Sequence, residues 1–374
     1  MRNGRKSGRS CPSGHEPLTP VPSGRAGRLS RLKVLAFLSS SSRPASGTPQ
    51  PSLSNGCAAG DSTVPLKRAR NGIALPSTDP GELRAEYRFT SLQSFLDLYY
   101  RNVAVLRTEA DFHELAAAYL ARAASAGVRR AEIFFDLQQH LSRGVPVQVV
   151  LAGLSSALAE GQAAHGVSAD LILCFLRDRG PEDAMQTLRA ALPYRQHFIG
   201  VGLVSTEIGY PPELFRDVFG AAAAEGLHRV AHAGEEAGPD YVWQALDLLG
   251  AERIDHGIRS MEDASLVRRL REDQVPLTVC PLSNVALRAV GSLADHVLPA
   301  MLAEGLKATV NSDDPAYFGG YIDANFAAVR SEMNVSDQQI VTLARNSFDA
   351  CFTTEAQRSR WKAELETAAA AADG

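Results

Sequence analysis

Nowhere does this chain hold an apolar run approaching the roughly 18 residues that a membrane-crossing helix needs, so no bilayer-spanning helix is expected. Positive charge is not in surplus either. The 38 Lys and Arg residues stand against 42 Asp and Glu, a formal net charge of -4, which leaves no basic footprint for nucleic acid. Cysteine is sparse: Cys11, Cys57, Cys174, Cys280 and Cys351 are scattered without C-x-x-C spacing. That excludes a disulfide framework and a Cys-rich zinc site, and it fits a reducing, cytoplasmic setting. A small-molecule role is what these absences leave. The 374 residues, 45% hydrophobic, can bury a sizeable core, either as two ordinary domains or as one β/α barrel of about 250 residues or more.

Acidic residues are also scarce at the start, where Glu16 and Asp61 are the only two before residue 66. Residues 1–65 are rich in Ser, Arg, Gly and Pro and cannot bury enough apolar surface to fold alone, so most of this stretch is expected to be disordered. Three origins stay open: a misassigned start or upstream frame, an Arg-rich and Ser-rich organellar leader, or a genuine disordered tail. Its one apolar island spans residues 32–38.

Beyond residue 66 the texture changes to short apolar runs alternating with amphipathic stretches, as expected of a parallel sheet wrapped by helices. Strands are expected at 131–135, 171–176, 198–203, 229–234, 252–257, 276–281 and 307–313. Helices are expected at 109–126, 147–165, 182–192, 212–224, 240–249, 263–271 and 293–303, and residues 80–105 also read as helical. Seven strands are visible where a (β/α)8 barrel of TIM type needs eight, and no room remains for another after residue 131. The first strand is therefore expected to be aberrant or missing. Either the island at 32–38 takes its place, or the barrel stays open between its second and eighth strands, with the island a loose helix of a leader. The expected organisation is an aberrant segment 1–65, a barrel 66–352 and a C-terminal helical tail 353–374.

Metal-competent residues sit at the carboxyl ends of the last four strands, where barrel enzymes place their sites. His232-Ala-Gly-Glu235 ends one strand; His232 alone could be a structural histidine, but the intervening glycine lets Glu235 turn back toward the barrel axis. The next strand repeats the pattern with Asp255-His256-Gly257. Cys280-Pro-Leu-Ser-Asn284 follows, with Cys280 read as a packed small hydrophobe because no histidine stands near it in sequence. The last strand runs into Asn311-Ser-Asp313-Asp314, either a surface turn or a carboxylate pair bound to a cation. Together these supply an imidazole and a carboxylate for a metal, a proton-carrying carboxyl, and a second imidazole near a bound water. Zinc suits mixed His and Asp ligation and lowers the pKa of a bound water to about 7.

These segments, with Asn311-Ser-Asp-Asp-Pro-Ala-Tyr-Phe-Gly-Gly-Tyr321, resemble the successive signatures of the adenosine and adenine deaminase family. The last is similar to its adenine-specific branch. Similarity runs from Arg70-Asn-Gly-Ile-Ala-Leu-Pro76 through Ala131-Glu-Ile-Phe-Phe-Asp136 to Asn346-Ser-Phe348. The resemblance implies a zinc-dependent hydrolysis of adenine to hypoxanthine and ammonia. It implies that His232 and Asp313 ligate zinc, that Glu235 protonates the purine ring nitrogen, that His256 orients the hydroxide, and that Asp314 hydrogen-bonds the purine. The implied partner is a small purine, with neither nucleic acid nor membrane involved and homo-oligomer formation left open.

The departures from the pattern matter as much. Family members begin with a strand ending His-x-His, which gives two more zinc ligands, and none of the nine histidines here is separated from another by one residue. Metal affinity and turnover are therefore expected to be reduced. Leu137 stands where a proline is usual and Val204 where an aspartate is. The alternatives are a non-catalytic purine-binding or scaffolding barrel and a deaminase of another aminopurine such as adenosine.

Overall fold

The computed structural model describes residues 71–72, 82 and 85–373. The expectations for residues 1–65, including the island at 32–38, lie outside the described residues. Seven strands form one all-parallel sheet in consecutive order, the topology of a TIM-type barrel: β1 (Arg130–Asp136), β2 (Ser168–Leu176), β3 (Gly200–Val204), β4 (His228–Ala233), β5 (Arg253–His256), β6 (Leu277–Val279) and β7 (Ala308–Val310). Among the described residues, β1 pairs only with β2 and β7 only with β6. The strands are legible as near-continuous apolar runs because a parallel sheet is covered on its outer face and filled within. Leu171, Leu173, Phe175, Val201, Leu203 and Ile254 are all fully buried.

The connecting helices bury the other side of this core. In chain order they are α1 (Leu92–Val103), α2 (Glu109–Ser125), α3 (Val147–His165), α4 (Pro181–Ala191), α5 (Arg216–Ala224), α6 (Pro239–Asp247), α7 (Ala264–Asp273), α8 (Pro281–Ala286), α9 (Leu298–Ala303), α10 (Ile322–Glu332), α11 (Asp337–Asp349) and α12 (Glu355–Asp373). Thr108 and Asp111 close a capping box on α2, satisfying two orphan N–H groups at its start. Two expected helices are interrupted. The 212–224 stretch begins as a 3-10 turn, Pro212–Phe215, and the 293–303 stretch divides into a turn, Leu293–Asp295, and α9. Of the described residues between 80 and 105, Glu82 and Ala85 are helical and α1 is helical throughout, while residues 87–89 are irregular. The last helix packs onto the barrel: Trp361 is buried and Leu365 belongs to the main core.

The barrel interior is partly ionic. Glu132 on β1 accepts from Arg253 Nη1 on β5 at 2.6 Å, and Arg130 Nη2 lies 3.1 Å from its other oxygen. Phe352 N–H donates to the same carboxylate at 2.7 Å, and the Arg253 guanidinium stacks over the Phe352 ring at 4.6 Å. The segment after α11 is thereby pinned to the sheet. All of this lies away from the carboxyl ends where the candidate site forms.

Candidate active site

Strand register determines which side chains meet. His232 on β4 lies opposite Asp255 on β5, and Asp255 lies opposite Thr278 on β6, so the three share a face. Thr278 Oγ1 donates to Asp255 Oδ1 at 2.7 Å, and Asp255 Oδ2 is 3.3 Å from His232 Nδ1, without the alignment of a hydrogen bond. Burial alone would raise the Asp255 pKa, but the adjacent His232 and Arg253 hold its carboxyl below the usual range. A carboxylate at Nδ1 leaves Nε2 as the free ligand atom of His232, the usual outer-shell device for orienting a metal-binding imidazole.

His256 is the next residue after Asp255, and strand alternation alone would point it away from that face. Its backbone is left-handed (φ 61°), as is that of Asp313 (φ 54°). Each such non-glycine residue costs about 1–3 kcal/mol, a strain found where chain geometry serves a site. The turn swings the His256 ring to 4.8 Å from that of His232, with Nε2 4.0 Å from Asp313 Oδ2 and Nδ1 3.4 Å from Glu235 Oε1. Gly234 (φ 73°) makes the corresponding turn before Glu235, where a Cβ would come within 2.8 Å of Val242 Cγ2. Ser283 Oγ donates to Asp313 Oδ2 at 2.7 Å.

Three further residues, none a candidate on sequence grounds, build the surroundings. The fully buried Glu207, beyond β3, accepts the backbone N–H groups of Glu235, Glu236 and Ala237 at 3.4, 3.0 and 2.6 Å. Beside it, at 3.8 Å, the buried Arg177 donates through Nη1 to the His232 carbonyl at 3.1 Å. Asn284 donates through Nδ2 to Glu235 Oε1 at 3.3 Å and contacts His256 Nδ1 at 3.2 Å. Glu207 and Asn284 belong to recognisable strand-end segments, but only tertiary contact reveals what they hold.

Electrostatics follow from this crowding. Burial, then Asp313 and Glu207, drive the Glu235 pKa well above its ordinary value, which favours the protonated carboxyl. Asp314 is pushed up to about 8 by burial and by its neighbour Asp313. Tyr99, on α1, is raised by burial and by Asp314, which puts an aromatic ring within the field of that carboxyl. A cavity of about 420 Å³ opens beside Glu235, bounded by Thr90, Leu92, Ile208, Arg259 and Arg288, a size suited to a small ligand.

His256, Cys280 and Asp313 bring nitrogen, sulfur and oxygen atoms within 4.8 Å of one another, and of these the Cys280 sulfur and an Asp313 oxygen suit a borderline metal such as zinc. His232 is not part of that compact group; it contributes its free Nε2 from the adjoining strand. Cys280 therefore has a histidine beside it in space, though none in sequence. Burial keeps its thiol protonated, with Asp313 and Glu235 adding to the effect, so the reading of Cys280 as a non-nucleophile stands on a different footing.

A TIM-type parallel sheet with imidazole, carboxyl and potential metal-donor groups beyond the ends of β4 to β7 is the setting of a hydrolytic deaminase. The chain belongs to the adenosine deaminase family, whose model matches residues 59–368. It is 60% identical over 300 residues to the adenine deaminase of Streptomyces coelicolor, covering 80% of this chain and 88% of that one. It is similar to the crystal structure of adenine deaminase from Arthrobacter aurescens, at 50% identity and a TM-score of 0.81, over 83% of this chain and 95% of that one. A cog1816 amidohydrolase from Burkholderia ambifaria, solved with bound Zn, shares the fold at 23% identity and a TM-score of 0.77, over 85% and 90% of the two chains. No helix among the described residues is long and apolar enough to cross a membrane.

Proposed function

We propose that this chain hydrolyses adenine to hypoxanthine and ammonia. The observation that carries the reading is Glu235, a buried carboxyl 3.4 Å from His256 Nδ1 whose pKa burial and the neighbouring Asp313 and Glu207 raise. Water attack at the amino-bearing carbon forms a C–O bond, one water proton passes to the departing amine and the other restores the proton that Glu235 gives up, and the C–N bond breaks to release ammonia. Glu235 supplies a proton to the adjacent ring nitrogen, which makes that carbon electrophilic. His256 faces the attacking oxygen. Asp314, protonated below about pH 8, donates to a purine ring nitrogen, with Tyr99 within the field of the same carboxyl. His232 and Asp313 are the residues that would hold zinc. Zinc bound there lowers the pKa of a water to about 7.

A second reading has one observation in its favour: the sequence contains no His-x-His pair. With fewer donors the site holds zinc weakly, and at the limit the barrel binds a purine without turning it over. Incubating the purified full chain with zinc and adenine, while following hypoxanthine and ammonia, separates the two. Conversion supports deamination, and adenine binding without ammonia release supports the second reading. Glu235→Gln is expected to lower turnover by about 10²–10⁴-fold with the melting temperature preserved; unchanged turnover would remove Glu235 from its role. Adenosine as competing substrate tests the choice of aminopurine.

A further inference from the structure

Behind the reacting groups runs a buried polar chain with a fixed direction. His296 precedes α9, and its Nδ1 is 3.0 Å from the Leu298 backbone nitrogen. A backbone N–H can only donate, so Nδ1 is the acceptor, and the proton of the neutral ring sits on Nε2. Burial lowers the pKa of this imidazole to about 4, which keeps the ring neutral at physiological pH. Its Nε2–H faces Asn284 Oδ1 at 3.3 Å. That contact orients the Asn284 amide, whose alternative orientation would set oxygen against Glu235 Oε1. Both amide hydrogens then point at the site, one to Glu235 Oε1 at 3.3 Å and one to His256 Nδ1 at 3.2 Å. His256 Nδ1 is thereby an acceptor, which leaves the ring proton on Nε2, the atom 4.0 Å from Asp313 Oδ2. Asn284 is fully buried, and His296, His256 and Glu235 are each at most 5% exposed, so no solvent competes for these groups.

We propose that His296 is a positioning residue: acting through Asn284, it presents one amide hydrogen to Glu235 Oε1 and the other to His256 Nδ1, and so holds His256 in the Nε2–H tautomer. The assignment rests on the deaminase reading only for its purpose, because the proton arrangement itself exists without turnover. It also explains a feature that the strand-end motifs leave open, namely why an uncharged imidazole is buried behind an amide that touches no backbone.

The test is the nitrogen-15 spectrum of the full chain labelled in its histidine rings, recorded at neutral pH without added metal. Signals are assigned by their loss in His256→Gln and His296→Gln. His256 should show a bare Nδ1 and a protonated Nε2, and a wild-type His256 protonated on Nδ1 alone overturns the proposal without recourse to any variant. Asn284→Asp replaces the two hydrogens with oxygen acceptors and should move the His256 proton to Nδ1. His296→Leu, which removes the outer donor, should give a mixture of the two tautomers, whereas His296→Gln, which can still donate to Asn284, should retain Nε2–H. A His256 spectrum identical in wild type, His296→Leu and Asn284→Asp would overturn the relay. With adenine, His296→Leu should lower kcat by about 10–100-fold, as loss of an outer-shell partner does, with KM little changed and His296→Gln largely restoring the rate. Failure of every form to release ammonia would sink the deaminase reading, and the spectra would still decide the relay.

Discussion

Taking away the Glu207 carboxylate would leave three backbone N–H groups of the Glu235–Ala237 loop without an acceptor in a buried site. Hydrogen bonds to a charged group are worth about 1.5–3 kcal/mol each, and an orphaned buried donor bears its full desolvation penalty. Glu207→Ala should therefore cost at least about 3 kcal/mol by chemical denaturation, and Glu207→Gln, which keeps one oxygen, clearly less. Equal stabilities for the two variants would show that the loop does not depend on this carboxylate. Glu132 makes a similar case at the other end of the barrel, between Arg130 and Arg253. Glu132→Ala removes the carboxylate that two buried cations share; Arg130 keeps Asp170 at 2.5 Å and Arg253 keeps Asp255 at 3.9 Å, so the loss should fall toward the lower end of the roughly 3–5 kcal/mol that breaking a buried pair costs. A loss under 1 kcal/mol would mean that water reaches the guanidinium groups.

Helices α2 and α3 approach so closely that two glycines of α3 are part of the contact. A Cβ at Gly153 would lie 2.3 Å from the Glu109 carbonyl oxygen and 2.8 Å from Phe112 Cβ, and one at Gly161 would lie 2.6 Å from Leu120 Cδ1. Gly153→Ala must push backbone from backbone and should destabilise by about 1–3 kcal/mol despite alanine's better helix propensity; a rise in melting temperature would refute the close approach. α3 is also the element most legible in the sequence. Pro146 and Gly166 bracket a continuous helical stretch, and the expected span 147–165 is the observed one. The strands are legible for a similar reason, since a buried parallel strand is an apolar run between polar boundaries. The helices expected at 212–224 and 293–303 are less so. There the break is set by tertiary contacts, with His296 held between Asn284 and the Leu298 N–H instead of joining a helix. In the site, His232, Glu235, His256 and the Asp313–Asp314 pair are recognisable as residue types at strand ends. The left-handed backbone that aims His256 and Asp313, and the Glu207 and Arg177 contacts beneath them, depend on packing that no local pattern encodes.

Acid should weaken the molecule through its buried histidines. Burial lowers the pKa of His140 to about 3 and that of His296 to about 4, whereas an unfolded histidine titrates near 6.5. Both are neutral in the fold, so below about pH 6.5 the unfolded chain gains protons that the folded one does not. Their contribution is fully present above pH 6.5 and is lost progressively as pH falls toward 4 and 3. At pH 5 the loss from His140 alone is about 2 kcal/mol. Asp136, raised to about 6 by burial, works in the opposite sense: the fold takes up its proton first, so acidification offsets part of the loss. The difference between wild type and His140→Gln isolates one group. The variant should lose less stability between pH 7 and 5, by about 2 kcal/mol, and parallel pH profiles would show that His140 is not buried in neutral form.

The consecutive strand order has one more consequence. His232, Glu235, His256, Asn284, Asp313 and Asp314 all follow or end β4 to β7, whereas the ends of β1 to β3 and helix α1 supply Asp136, Ser205, Tyr99 and Tyr100 around the same opening. These two arcs of the opening come from separate, contiguous stretches of the sequence, although Arg259 and Arg288 of the later stretch bound the cavity together with Thr90, Leu92 and Ile208 of the earlier one. Recombining the first stretch with that of a relative would therefore exchange one wall of the opening and leave the residues that follow β4 to β7 in place.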